Sequence, residues 1–301
     1  MARGPRSLAF AYVSIASWIS RTLLPLPLQR RVRNSICSNG HKWPEMAFAA
    51  RRVRLGARTE VALIPHWDEF DQEALFLNAL EYETPVFRWL EENVAASYDV
   101  ILEIGANAGL YTVFFDALWK NSPAPEGRSR RIVSFEPSPE AFRRLIANLA
   151  ANHAHHVTPY QAAIGETSGF QAFYEPVGHL TNGSLLREFS NIFSDRVDET
   201  VAVVLAAPEL GRWLGAEGRT LIKIDVEGFE PELLTALGPL LERHRPDLLI
   251  EVLPFTLDAL NANPVLAAYD KHLLTPNGLQ QSASFHASDQ HRDWLLRWPA
   301  G

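Results

Sequence analysis

The hydrophobic pattern changes period twice between Asp99 and Thr112, in the stretch D-V-I-L-E-I-G-A-N-A-G-L-Y-T. Val100, Ile101, Leu102 and Ile104 form an apolar run interrupted only by Glu103, the pattern of a strand buried on both faces. Gly105, Asn107 and Gly109 are turn formers. Beyond them Leu110, Val113, Phe114, Ala117 and Leu118 recur at helical spacing and predict an amphipathic helix to about Lys120. The segment reads strand, glycine turn, helix. In a doubly wound sheet that turn is where a nucleotide-like ligand sits.

The same alternation continues downstream. Arg131–Phe135 reads as a strand ending in Glu136–Pro137, and Ser138 with Pro139 predicts a capped helix start. Phe142, Leu145, Ile146 and Leu149 give that helix its stripe. Val157–Ile164 reads as a third strand, with further strands at Phe170–Tyr174, Val201–Leu205, Thr220–Ile224 and Leu248–Ile250. Pro231 begins a helix with Leu233, Leu234 and Leu237 on one side. The tail from His272 to Trp298 suggests two last strands and a loop. Upstream, Arg51–Leu63 suggests a hairpin around Gly56–Ala57, and Asp71–Val94 a helix in pieces, broken near Pro85. Strands alternating with helices predict a mostly parallel sheet covered on both faces. Glu103, Glu136, Asp225 and Glu251 then collect at the carboxyl edge, where open α/β sheets bind ligands.

The turn lacks the G-x-G-x-x-G spelling of a dinucleotide site. Its spacing is acid-x-Gly-x-Asn-x-Gly, at Glu103, Gly105, Asn107 and Gly109. An acid pointing into the cleft repels a pyrophosphate and attracts an ammonium group, and glycines let backbone approach a ligand closely. That combination suits S-adenosylmethionine. Glu136 ends the second strand, where a carboxylate accepts hydrogen bonds from a ribose diol. It follows Gly105 by 31 residues, and the loop Asn121–Arg130 accounts for most of the excess over a compact unit. Asp225 and Glu227 flank the end of the fourth strand. Methyl transfer to a hydroxyl needs alignment and a proton acceptor. Asp225 or Glu251 can be that base, or can hold a divalent cation that acidifies the hydroxyl. Asp225 and Glu227 can also cap the following helix. His153, His155 and His156 superficially resemble a metal tract but lack a neighbouring acid, so they read as a solvated loop and no metal is assigned. His179 lies in a glycine-bearing loop, His179–Leu186, that can border a site.

Charge changes the picture at the N-terminus. The net charge of −7 over 301 residues hides an asymmetry. Residues 1–58 hold eleven Lys or Arg against one acid, Glu45, so that stretch carries +10 and the rest −17. An acidic body argues against a nucleic-acid partner. Ser7–Ser20 is charge-free and largely apolar but shorter than the ~20 residues that span a bilayer. Two readings stand: a helix packed on the body, or an interfacial helix on anionic lipid, preceded by Arg3 and Arg6 and backed by Arg30, Arg31 and Arg33. The single cysteine, Cys37, excludes an internal disulfide framework and fits a cytoplasmic setting, with peripheral contact at the inner membrane through the basic segment.

Three motifs in order resemble the FkbM-type methyltransferases: L-E-I-G-A-N-A-G-L-Y-T from Leu102, S-F-E-P-S-P from Ser134 and I-K-I-D-V-E-G-F-E from Ile222. Weaker echoes are Leu80–Thr84, Thr181–Leu185 and Leu248–Val252. The resemblance implies a Rossmann-like class I methyltransferase fold with a seven-stranded, mostly parallel sheet over residues 71–301, behind an extension of residues 1–70. It implies S-adenosylmethionine as cofactor and O-methylation of a sugar, glycolipid or polyketide-type acceptor. The positions it matches to the cofactor site are Glu103, Gly105, Asn107, Gly109, Tyr111, Glu136 and Pro137. Asp225 and Glu227 match the family's signature after the fourth strand, and with Glu251 at the next strand end they are the candidate catalytic residues. One departure is Leu205-Ala206-Ala207-Pro208, where the family often has Leu-Asp, which removes a helix cap. The acceptor pocket is expected from loops such as Gly178–Ser190 and Asn261–Leu279. The competing readings are a non-catalytic binding protein of the same fold and a nucleotide-cofactor oxidoreductase.

Overall fold

The computed structural model describes residues 5–37, 47–67, 70–122, 124, 126–179, 182–214, 219–286 and 291–299. Arg3 and Thr181 lie outside them.

Two helices, α1 (Pro5–Leu23) and α2 (Leu26–Cys37), open the chain, and the second was not expected from the sequence. A hairpin follows, β1 (Arg51–Leu55) and β2 (Thr59–Leu63), turning at Gly56–Ala57 as the pattern predicts. The Glu91 carboxylate accepts the loop N–H groups of Ala57, Arg58 and Thr59 at 2.6–3.0 Å, which fixes the turn. After a 3₁₀ helix at Phe70–Leu75 comes α3 (Thr84–Ser97). Pro85 opens this helix rather than breaking it, because the first helical turn has no use for its missing N–H.

The central strands are β3 (Val100–Ile104), β4 (Arg131–Phe135) and β5 (Val157–Tyr160), separated by α4 (Leu110–Lys120) and α5 (Pro139–Ala151). Ser138 Oγ caps α5 by accepting the Ala141 N–H at 3.2 Å. The expected single strand Val157–Ile164 is two. Its first part, β5, is the outer strand of the main sheet, where Pro159 is tolerated. Its second part, β6 (Ala163–Gly165), joins a separate three-stranded sheet with β7 (Gly169–Pro176) and β8 (Val197–Ala206). Between β7 and β8 lies α6 (Arg187–Phe193), and a 3₁₀ helix at Ala207–Arg212 follows without a side-chain cap, as Ala206 dictates.

The rest of the chain comprises β9 (Thr220–Ile224), α7 (Glu230–His244), β10 (Asp247–Glu251), α8 (Leu257–Ala262), α9 (Pro264–Ala267), β11 (Asp270–Thr275), β12 (Gly278–Ser282) and β13 (Asp293–Arg297). The main sheet has the order β12-β11-β13-β10-β9-β3-β4-β5. β5, β4, β3, β9 and β10 pair in parallel, while β13 inserts antiparallel between β10 and β11. The sheet has eight strands rather than seven, because the Pro276–Asn277 turn folds β12 back onto β11 as an added edge. Both faces are covered. Ile101 packs with the hairpin, α3, α4 and α5, whereas Val100, Leu102 and Ile104 pack with α7, α8 and α9. Val53, Leu55, Val61 and Leu63 belong to the first of these cores, so the packing runs unbroken across residue 70.

Candidate active site

Two loops meet above the carboxyl edge: the turn after β3 and the turn after β9. The glycines of the first serve protein packing. Gly105 has φ +85°, and a Cβ there would lie 1.7 Å from the Asp225 carbonyl oxygen; Gly109 has φ +83°, with Leu145 Cδ1 2.4 Å from such a Cβ. The close approach expected of a ligand is thus made by the chain itself. Three non-glycine residues beside the site also hold positive φ: Glu83 (39°), Asn107 (49°) and Glu227 (53°). Backbone strain of this kind concentrates at functional sites.

Glu136 ends β4 and reaches across this edge. Its carboxylate accepts the Asn107 N–H at 2.7 Å and the Ser138 N–H at 2.8 Å. It lines a cavity of about 610 Å³ with Asn107, Pro137, Phe173, Leu185 and Phe229. A second space of about 420 Å³ adjoins it over the α4 N-terminus, bordered by Tyr82, Gly105, Tyr111 and Lys223. A third, of about 1050 Å³, opens between Glu251, Phe189, Phe193, Leu253, Phe255 and Arg292. Asp225 and Glu227 border all three.

Glu103 does not reach these spaces. It shares the α4-facing side of β3 with Ile101, so its carboxylate is buried under the helix and accepts the hydroxyls of Thr112 and Ser134. The expectation that it meets a ligand's ammonium is corrected accordingly. Of the acceptor loops expected, Asn182 and Phe189 from Gly178–Ser190 line the 1050 Å³ space. The described lining takes nothing from Asn261–Leu279 and draws instead on Tyr82, Glu83 and Leu253–Phe255.

Lys223, absent from the sequence-based site, is its electrostatic centre. It lies on β9 among apolar neighbours, almost fully buried. Its Nζ donates to Asp225 Oδ2 at 3.0 Å and sits 4.4 Å from the centre of the Tyr111 ring. Burial works against its charge, but Asp225, Glu103 and Glu83 outweigh that and push its pKa up. Glu83 accepts the Tyr111 hydroxyl. A lysine inside a buried strand was the signal available in the sequence, since such a charge requires carboxylates around it.

Those carboxylates are themselves perturbed. Burial pushes Glu103, Glu136 and Glu230 up to about 7. Burial, then Asp225, takes Glu251 to about 8. The antiparallel register sets Glu251 opposite Asp293, whose carboxyl is also raised by burial and then by Glu83 and Glu251. Groups raised in the fold bind more protons folded than unfolded. Their stabilisation is complete below about 4.5 and is lost as pH rises through 7–8. The ligand-free protein is therefore expected to lose on the order of 5–10 °C of Tm between pH 5.5 and 8. A Tm that rises over that interval in calorimetry would mean these carboxyls are solvated and ionised.

The histidines do meet an acid, Asp116 of α4. Its Oδ1 accepts the N–H groups of His155 and His156, both at 3.2 Å, and lies 2.8 Å from His156 Nδ1. The Lys120 ammonium stands 2.7 Å from Oδ2, so this carboxylate already has its counter-charge.

The family model described as "Methyltransferase FkbM domain" matches residues 103–297, well over half the chain. The chain belongs to the FkbM methyltransferase family. The matched region is accordingly a methyltransferase domain of the kind that uses S-adenosylmethionine. No curated protein matches it in sequence. Among solved structures it is similar to methyltransferase FkbM from Methylobacillus flagellatus (17% identity, TM-score 0.39), covering 67% of this chain but only 44% of that one. It is also similar to a precorrin-6y C5,15-methyltransferase from Geobacter metallireducens (17% identity, 73% of this chain and 91% of that one, TM-score 0.40). A third is an S-adenosylmethionine-dependent methyltransferase from Agrobacterium tumefaciens (10% identity, 85% and 72%, TM-score 0.40). The FkbM assignment rests on the family match.

Proposed function

We propose that this FkbM protein transfers the methyl group of S-adenosylmethionine to a hydroxyl oxygen of a sugar, glycolipid or polyketide-type acceptor. The observation that carries the reading is the position of Asp225 and Glu227, which border the 610 Å³ cavity and the larger acidic one alike. One cavity would hold the donor and the other the acceptor, with carboxylates where they meet.

The donor set fits the cofactor. Glu136 keeps lone pairs beyond its two N–H bonds, and a ribose diol would donate to them. Ile104, Ile164, Phe173 and Phe229 offer an apolar slot for a base. The first turn of α4 presents backbone N–H groups to a carboxylate, and Asp225 offers its charge to an ammonium. When bound, the cofactor supplies an electrophilic methyl on a sulfonium. The protein aligns the acceptor oxygen and takes its proton. Glu251 suits the role of proton acceptor, because among the described residues it borders the acceptor cavity and not the 610 Å³ one, and its pKa near 8 matches a base working close to neutrality.

Two measurements test this. Glu136→Ala is expected to raise the dissociation constant for S-adenosylmethionine by roughly ten- to a hundred-fold, the worth of hydrogen bonds to a charged group. An unchanged constant in calorimetry removes Glu136 from the site. Methyl-labelled S-adenosylmethionine incubated with extract of the native host should yield a labelled methyl ether. Label found on nitrogen or carbon overturns O-methylation.

A further inference from the structure

Among the described residues no helix is long and apolar enough to cross a membrane. α1 nevertheless carries apolar residues on two opposite sides. One side docks. Val13, Ser17 and Ser20 are buried, the two serine hydroxyls donate to the carbonyls of Leu75 and Phe76, and the Arg21 guanidinium donates to those of Ala74, Leu77 and Arg52. The helix is therefore held rigidly. The opposite side consists of Ala11, Ile15, Trp18, Ile19, Thr22 and Leu23, with no charge among them. Ile15, Trp18 and Leu23 are 60%, 61% and 62% exposed. Across the Pro25–Pro27 bend, exposed Leu28 and Arg31 continue it on α2. Docking by one side alone would leave the other polar, so the outward stripe calls for a second apolar contact.

Charge selects the occupant. The +10 of residues 1–58 sits on a body of −17. Arg30 and Arg33 spend their charges on Glu81 and Glu73. Arg31, Arg52, Arg54 and Arg58 have no carboxylate in ion-pair range among the described residues, and Arg52 lies beside the end of α1 through the Arg21 contact. A second copy docked through this stripe would face its own basic segment, since a two-fold interface apposes the same patch. An anionic lipid surface meets both features: it accepts the apolar stripe and neutralises the arginines.

We infer that α1 and the start of α2 form an interfacial anchor that seats the protein on an anionic bilayer, with Ile15, Trp18 and Leu23 entering the headgroup–acyl boundary. The inference is independent of the acceptor's identity. The full chain should co-sediment with vesicles of phosphatidylglycerol and phosphatidylcholine, and more weakly with phosphatidylcholine alone or in high salt. The triple variant I15S/W18S/L23S should lose at least about tenfold in partitioning. Its calorimetric affinity for S-adenosylmethionine should stay unchanged, which checks that it folds. Three results overturn the anchor: no sedimentation with anionic vesicles, equal sedimentation of the triple variant, or a solution dimer of the wild type that the triple variant abolishes.

Discussion

Replacing Lys223 with Met should destabilise the protein by about 3–5 kcal/mol, the typical cost of removing one partner from a buried charge cluster. The substitution keeps the length and fills the same space beside Tyr111. What it removes is the positive charge shared by Asp225, Glu103 and Glu83. The deficit should depend on pH. Burial raises the Glu103 and Glu83 carboxyls, so at pH 5 these two take up protons and relieve the repulsion, and the loss shrinks; at pH 8 it is greatest. Denaturant unfolding at both values checks this. A loss below about 1 kcal/mol at pH 8 would mean that solvent, not Lys223, balances the acids.

Glu251→Gln should lower kcat by roughly 10²–10⁴-fold, the contribution of a positioned base. A base must be deprotonated to act. The wild-type rate should therefore climb with pH and level off above about 8, where Glu251 ionises. Because Glu251 does not border the 610 Å³ cavity, affinity for S-adenosylmethionine should change by less than about twofold. A full rate in Glu251→Gln together with a lost rate in Glu227→Gln would assign the proton to Glu227 instead.

Much of this was legible in the sequence, for local reasons. The Ser138 cap is set by residues within a few positions of one another, and the β3 turn and the hairpin at Gly56 announce themselves through their own glycines, although Asp225, Leu145 and Glu91 hold them from far along the chain. Glu136 and Asp225 could be placed because strand ends in a parallel sheet share one edge. Glu103 misled because alternation along a doubly buried strand does not say which face meets the ligand. Glu83 and Asp293 were missed because each reaches the site from another part of the chain: Glu83 through the strained residue before α3, and Asp293 through an antiparallel insertion. Lys223 was visible in its motif with Asp225 two positions on, but Glu103 becomes its neighbour only once β9 lies beside β3. Val157–Ile164 read as one strand because nothing local marks where a chain leaves one sheet for another.

The contact between Gly105 and the Asp225 carbonyl has an evolutionary corollary. It welds the glycine turn and the acidic turn into a single part with no slack, since even a methyl group would collide there. The walls of the large cavity come largely from elsewhere, from α6 and the stretch after β10, and they meet the acidic turn through side chains rather than backbone: a Cβ at Gly228 would lie 2.9 Å from the Phe255 ring and 3.1 Å from that of Phe189. New acceptors can therefore be acquired by redrawing those walls, while the methyl-donor machinery is inherited whole.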